Sequence, residues 1–160
     1  MIEKTLIIFF GTYGIVVSIL ILGAFFFWRD RASQRQMLRL ALVSFPLSFI
    51  VNEIAHRLFF NPRPFVILGV QPLIAHAADN GFPSDHAVLS MAIASLAFVM
   101  NRRIGIGLAV LSVLIGLARV GARVHHPVDV LAGMAIAMVS TWVSQQYIQW
   151  RYRAIIKRGF

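Results

Sequence analysis

The sequence predicts an all-α fold: a polytopic transmembrane bundle of about five spanning helices with one short re-entrant or interfacial segment. Three observations predict it. Apolar residues make up 59% of the 160-residue chain, charged residues only 13%, and the mean hydropathy is +0.78, whereas a soluble domain carries about 25% charged residues. The apolar residues come in runs of roughly 20, the length needed to cross a hydrocarbon core about 30 Å thick. No internal repeat, low-complexity stretch or Ser/Gly linker divides the chain, so residues 1–160 are expected to form a single membrane domain.

The first span runs from about Thr5 to Trp28 and carries no charge. Glu3 offsets Lys4, and the apolar run ends in Phe26, Phe27 and Trp28 where a cleaved leader would have small residues, so the N-terminus is expected to stay in the mature protein. The second span, about Met37 to Phe60, is apolar early and polar late, with Asn52, Glu53, His56 and Arg57 near its end. The stretch from Phe65 to Ala78 is apolar but broken by Gly69 and Pro72; too short to cross, it is the re-entrant or interfacial piece. The remaining spans are about Ser84 to Met100, Ile104 to Val120 and Pro127 to Trp150. Cysteine is absent, which excludes disulfides and thiolate metal sites.

Lys and Arg placement sets the orientation. Arg29, Arg31, Arg35 and Arg39, then Arg102 and Arg103, then Arg151, Arg153, Lys157 and Arg158 all fall on one side after five crossings. That side is expected to be cytoplasmic, with the N-terminus outside and the C-terminus inside. The formal charge of +9 is thereby explained by loops facing anionic lipid. No basic stripe interleaved with aromatics remains for nucleic acid.

The same topology gathers His56, His76, His86, His125 and His126 on the outer side, with Glu53, Asp79, Asp85 and Asp129. Ionisable residues at membrane depth cost several kcal/mol each, roughly, and mark sites or pathways. Three clusters converge: Asn61-Pro62-Arg63-Pro64 after the second span, Pro83-Ser84-Asp85-His86 opening the third, and Arg119, His125 and Asp129 leading into the fifth.

Each cluster suits a phosphate. Ser84 is placed as an N-cap, and the free N–H groups of the turn behind it form an anion cradle. Arg63 and Arg119 offer planar forks that stay charged at any working pH. Pro127 fits a first helical position, which places Asp129 where it can reach back to one ring nitrogen of His125 and leave the other free to attack. His86 is a second imidazole suited to protonating a leaving oxygen. Blander readings stand beside these: a capped helix, snorkelling arginines, or His125, His126 and Asp129 as metal ligands. His76 and Asp79 are expected to be solvated loop residues, and His126 an N-cap neighbour.

The spacing resembles the signature of the type-2 phosphatidic acid phosphatase and vanadium haloperoxidase superfamily: Lys-x6-Arg-Pro, Pro-Ser-Gly-His and Ser-Arg-x5-His-x3-Asp. Arg63-Pro64, Pro83-Ser84, His86, Arg119, His125 and Asp129 match in order and spacing. The resemblance implies that His125 is the nucleophile, oriented by Asp129, with His86 as acid and then base. It implies that Arg63, Ser84 and Arg119 hold the phosphoryl group without a metal or other cofactor. Three positions depart from the pattern: His56 stands for Lys, Asp85 for Gly and Ala118 for Ser. Glu53, one turn before His56, is placed to keep it protonated. The Pro-Ser-Asp-His form is similar to the bacterial undecaprenyl pyrophosphate phosphatase branch, which implies a polyprenyl pyrophosphate substrate, with His56, Asp85 and Arg123 as further phosphate contacts. Phosphatidic acid and phosphatidylglycerol phosphate are the rival lipids. A non-catalytic lipid-binding or transporter subunit is the rival class.

Overall fold

The computed structural model describes residues 2–158; the side chains of Lys157 and Arg158, two of the tail cations, lie outside the described residues. Six helices follow in order: α1 (Ile2–Trp28), α2 (Arg31–Leu58), α3 (Pro64–Leu68), α4 (Asp85–Met100), α5 (Arg102–Gly121) and α6 (Pro127–Arg158). α1, α2, α5 and α6 are long and apolar enough to cross a membrane, while α4 is apolar but 16 residues long. Several helices outrun their apolar stretches. α2 begins at Arg31 and not near Met37, because the Asp30 side chain accepts from the N–H groups of Ala32 and Ser33, both at 3.0 Å. Asn101 caps α5 likewise, through the N–H groups of Arg103 and Ile104. Hydropathy marks the part of a helix that suits the bilayer; caps and breakers mark its ends.

α4 is the central element and packs against α1, α2, α5 and α6. Its buried face is built from small and flexible residues, among them Ala87, Met91, Ala94 and Ala97 against Leu108 and Met134. Small residues let helices approach closely where lipid supplies no hydrophobic drive between them. Gly133 of α6 is such a point: a Cβ there would stand 2.8 Å from the Ser84 carbonyl and 3.2 Å from Ala87 Cβ. Several buried hydroxyls are satisfied within the bundle. Ser18, Ser48 and Ser144 each donate to the carbonyl four residues back, and Ser90 pairs with Ser112 at 2.8 Å to link α4 with α5.

The spanning elements alternate in direction. The end of α5 meets the start of α1 where Arg119 Nη1 donates to the Gly11 carbonyl at 3.3 Å. The end of α2 meets the start of α4 through Asn52 and Asp85, and the start of α4 meets the start of α6 where Ser84 N–H donates to the Asp129 carbonyl at 3.1 Å. One end of the bundle thus collects the beginnings of α1, α4 and α6 and the finishes of α2 and α5.

Over this end lies the long α2–α4 connection. α3 is closed by Gly69, whose φ of 62° is the left-handed conformation a glycine adopts without strain. Phe65 N–H donates to the Arg123 carbonyl at 3.0 Å and Leu73 N–H to the Ala122 carbonyl at 3.2 Å, tying the connection to the turn after α5. Val66, Ile67 and Leu68 remain exposed, the composition expected of an interfacial cap.

Candidate active site

His125 sits on the turn between α5 and α6, with Arg123 at a φ of 62° bending the backbone toward it. Its ring is buried and its tautomer follows from its neighbours. Nδ1 lies 2.9 Å from the Gly81 carbonyl, which only accepts, so Nδ1 carries the proton. Nε2 lies 3.3 Å from Arg63 Nη1, which only donates, so Nε2 presents its lone pair. Spacing alone predicts a direct bond from Asp129 to this ring. Instead Asp129 Oδ2 is 3.7 Å from Nδ1, and the Gly81 carbonyl takes the proton's hydrogen bond.

Asp129 is fully buried, and its oxygens are taken up by Asn61 Nδ2 and by His126 N–H, each at 2.7 Å. The second bond is a reverse cap, in which an acid in the first helical turn reaches back to the residue before the helix. His126 turns its ring away, with Nε2 donating to the Pro62 carbonyl at 3.1 Å. His125, His126 and Asp129 therefore do not assemble as a ligand set, and among the described residues no three His, Asp or Glu side chains do.

Arg63 is buried and held on three sides. Nε donates to Asp79 Oδ1 at 2.7 Å, Nη1 to the Val124 carbonyl at 2.8 Å, and Nη2 to the Asn80 carbonyl at 3.2 Å. Desolvation works against the Asp79 charge, but the hydrogen bond and charge of Arg63 outweigh it and hold that carboxyl below its ordinary range. Arg119, 2% exposed, makes one bond to Gly11; its Nε and Nη2 have no partner within the protein, and neither has the wholly buried Ser84 Oγ. Ser84 does occupy the N-cap position of α4, yet its hydroxyl makes no capping bond. His86 lies within electrostatic reach of Arg63, His76, Arg119 and His125. Arg63, Ser84, His86, Arg119, His125 and Asp129 are thus brought to one end of the bundle.

Other expectations change. His76, expected in solvent, stacks edge-on to His125 with ring centroids 6.1 Å apart, and its buried Nδ1 has no partner. Asp79 is exposed, as expected, with 57% of its side chain in solvent, and it is also the carboxylate that orients Arg63. Glu53 pairs with Arg57 at 2.8 Å and not with His56, because the i,i+4 arginine is the better-placed cation. His56 Nδ1 lies 2.9 Å from the Phe82 carbonyl, so that ring braces the α4 approach. Asp85 accepts from Asn52 Nδ2 at 2.7 Å, at the mouth of a groove lined by Phe45, Phe49 and Leu89. Arg123 is exposed, and its carbonyl holds Phe65.

Two residues organise the connection without a motif to announce them. Asn80 uses its whole amide: Oδ1 accepts from the N–H groups of Asn61 and Phe82, and Nδ2 donates to the carbonyls of His56 and Phe59. Gly81 is closely enclosed: a Cβ would stand 3.2–3.3 Å from Asn61 O, Arg63 Cγ and Asp129 Oδ2, tight enough that one of them would have to give way. The Asn-Gly pair was the available signal, a turn dipeptide between two motif clusters.

The fold and the site together define a polytopic membrane protein with a buried, histidine-centred cationic site. The PAP2 superfamily model matches residues 37–153, and the chain belongs to that superfamily. It is 34% identical over 135 residues to undecaprenyl-diphosphatase BcrC of Bacillus subtilis (strain 168), covering 84% of this chain and 69% of that protein. It is 36% identical over 123 residues to the bacitracin transport permease protein BcrC of Bacillus licheniformis, covering 76% of this chain and 61% of that one. The chain thus spans about two thirds of the length of these relatives. In structure it is similar to Aquifex aeolicus LpxE, with a TM-score of 0.74, 23% identity, and coverage of 91% of this chain and 87% of that one, a likeness of fold.

Proposed function

We propose that this protein hydrolyses a polyprenyl pyrophosphate, undecaprenyl pyrophosphate foremost, to the monophosphate at the extracytoplasmic face of a bacterial membrane. One observation carries the chemistry: buried donors on Arg119 and Ser84 that no protein group satisfies, at the end of the bundle where His125 Nε2 holds its lone pair toward Arg63 Nη1. Orphaned buried donors are costly unless a ligand completes them. A tetrahedral phosphoryl group, with several acceptor oxygens, does so.

In this reading His125 Nε2 attacks the terminal phosphorus. A P–N bond forms, the P–O bond to the bridging oxygen breaks, and His86 gives that oxygen a proton. The lipid monophosphate leaves. His86 then takes a proton from water, whose oxygen attacks the phosphohistidine and releases inorganic phosphate with His125 restored. The Nδ1–H bond to Gly81, with Asp129 nearby, favours positive charge on the ring while it carries phosphate. Arg63, Arg119 and Ser84 stabilise the equatorial oxygens, which is most of what phosphoryl transfer requires. Charge sorting supports the side: the opposite end carries Arg29, Arg31, Arg35, Arg39, Arg102 and Arg103.

The test is phosphate release by purified protein from undecaprenyl pyrophosphate, phosphatidic acid and phosphatidylglycerol phosphate, for the native chain and for His125→Ala, with and without EDTA. Release from the pyrophosphate that persists in EDTA and falls at least about a thousandfold in His125→Ala is expected. Undiminished release in the variant removes His125 as nucleophile. Preference for a monoester lipid changes the substrate, and no release from any lipid favours the non-catalytic class.

A further inference from the structure

At the end of the bundle away from His125, α2 and α6 enclose a cavity of about 470 Å³ lined by Gln36, Arg39, Leu40, Gln145, Gln149 and Arg153, among others. We propose that it is a binding site for the phosphodiester headgroup of an anionic phospholipid, separate from the catalytic site.

Three features point there. Arg39 and Arg153 come from different helices to line one cavity, and among the described residues neither side chain has an ion pair or hydrogen bond. The one described carboxylate at this end, Asp30, is committed to capping Ala32 and Ser33. Two guanidiniums with no counter-ion attract an anion, and their planar forks suit phosphate oxygens. The amides of Gln36, Gln145 and Gln149 add neutral donors of the kind a glycerol or carbonyl oxygen accepts. Leu40, Val99 and Ile148 supply apolar wall for the beginning of an acyl chain.

Depth also favours lipid. Tyr147 and Trp150, exposed with ring centroids 6.2 Å apart, flank in sequence the cavity-lining Ile148 and Gln149 of α6, and Trp28 is exposed at the end of α1. Such aromatics sit at the headgroup level of a bilayer. Arg39 lies 17 residues before His56 on α2, and Arg153 lies 24 residues after Asp129 on α6, so the cavity is roughly 25–35 Å from the His125 site. A bound headgroup would bridge the far ends of the same two helices whose other ends supply Asn52, His56 and Asp129.

Native mass spectrometry of the whole chain, titrated with phosphatidylglycerol, phosphatidylcholine or soluble glycerol phosphate, tests this. Phosphatidylglycerol is expected to bind to the native chain, to R39K/R153K and to Arg63→Gln, and about tenfold or more weakly to R39Q/R153Q. R102Q/R103Q removes the same charge at the same end but outside the cavity, and is expected to bind like the native chain. Equal weakening in both glutamine pairs reduces the effect to general surface charge and overturns the site. Loss of binding in Arg63→Gln alone places the lipid at the catalytic end and overturns it too. Glycerol phosphate binding as tightly as the lipid overturns the assignment to a phospholipid.

Discussion

At the scale of single residues, the site is a set of rings and forks whose protons are fixed by fixed neighbours. His125 holds its proton on Nδ1 because a carbonyl faces that nitrogen, and a guanidinium faces the other. His76, 6.1 Å away, is neutral for a different reason: burial first, then the charges of Arg63 and Arg119, push its imidazole below the ordinary value of 6.5. Below 6.5 the unfolded chain therefore binds a proton that the folded chain resists. Stability rises with pH across that interval and is lost as pH falls through it. Thermal denaturation in detergent from about pH 7.5 down to about pH 5 is expected to show a falling midpoint, with a shallower fall in His76→Asn. An identical slope in that variant rejects the assignment. The motif residues were legible in the sequence because phosphate chemistry restricts them to a few types at fixed spacings. His76, Asp79 and Asn80 were not, since a loop residue's neighbours come from segments distant in sequence, and no periodicity records them.

At the scale of elements, the spans were legible because each must cover a hydrocarbon layer with apolar residues. Their ends were less so: α2 starts six residues before Met37 on the strength of the Asp30 cap. How closely they approach was not legible at all. Gly133 looks like any glycine in a membrane helix, and in the bundle it is the point where α6 crosses the Ser84 carbonyl. Gly133→Val is expected to force α4 and α6 apart, costing about 1–3 kcal/mol and lowering phosphate release, because Ser84 and Asp129 are joined across that seam. Gly107, where a Cβ would meet nothing within 4 Å, is the control: Gly107→Val is expected to keep both the melting midpoint and the activity. Equal effects at both positions would mean that helix propensity and not packing decides.

At the scale of the whole molecule, alternation of five helices puts the His125 site at one end and the arginine-rich turns at the other. The native chain has no cysteine, so single cysteines report sidedness directly. Val70→Cys, on the connection over the site, is expected to react with a membrane-impermeant maleimide in intact spheroplasts, and Arg103→Cys only after permeabilisation. The opposite pattern inverts the proposed orientation. By itself, the sequence determined the helical class, the number of apolar runs, the sorting of cations and the motif residues, since each follows from local composition or fixed spacing. Only the tertiary structure decided that the Gly81 carbonyl rather than Asp129 accepts the hydrogen bond from His125 Nδ1–H. It also decided that Asp79 orients Arg63 and that Arg39 and Arg153 share a cavity. The physical reason is the same in each case: these are distances between groups that meet only once the helices pack.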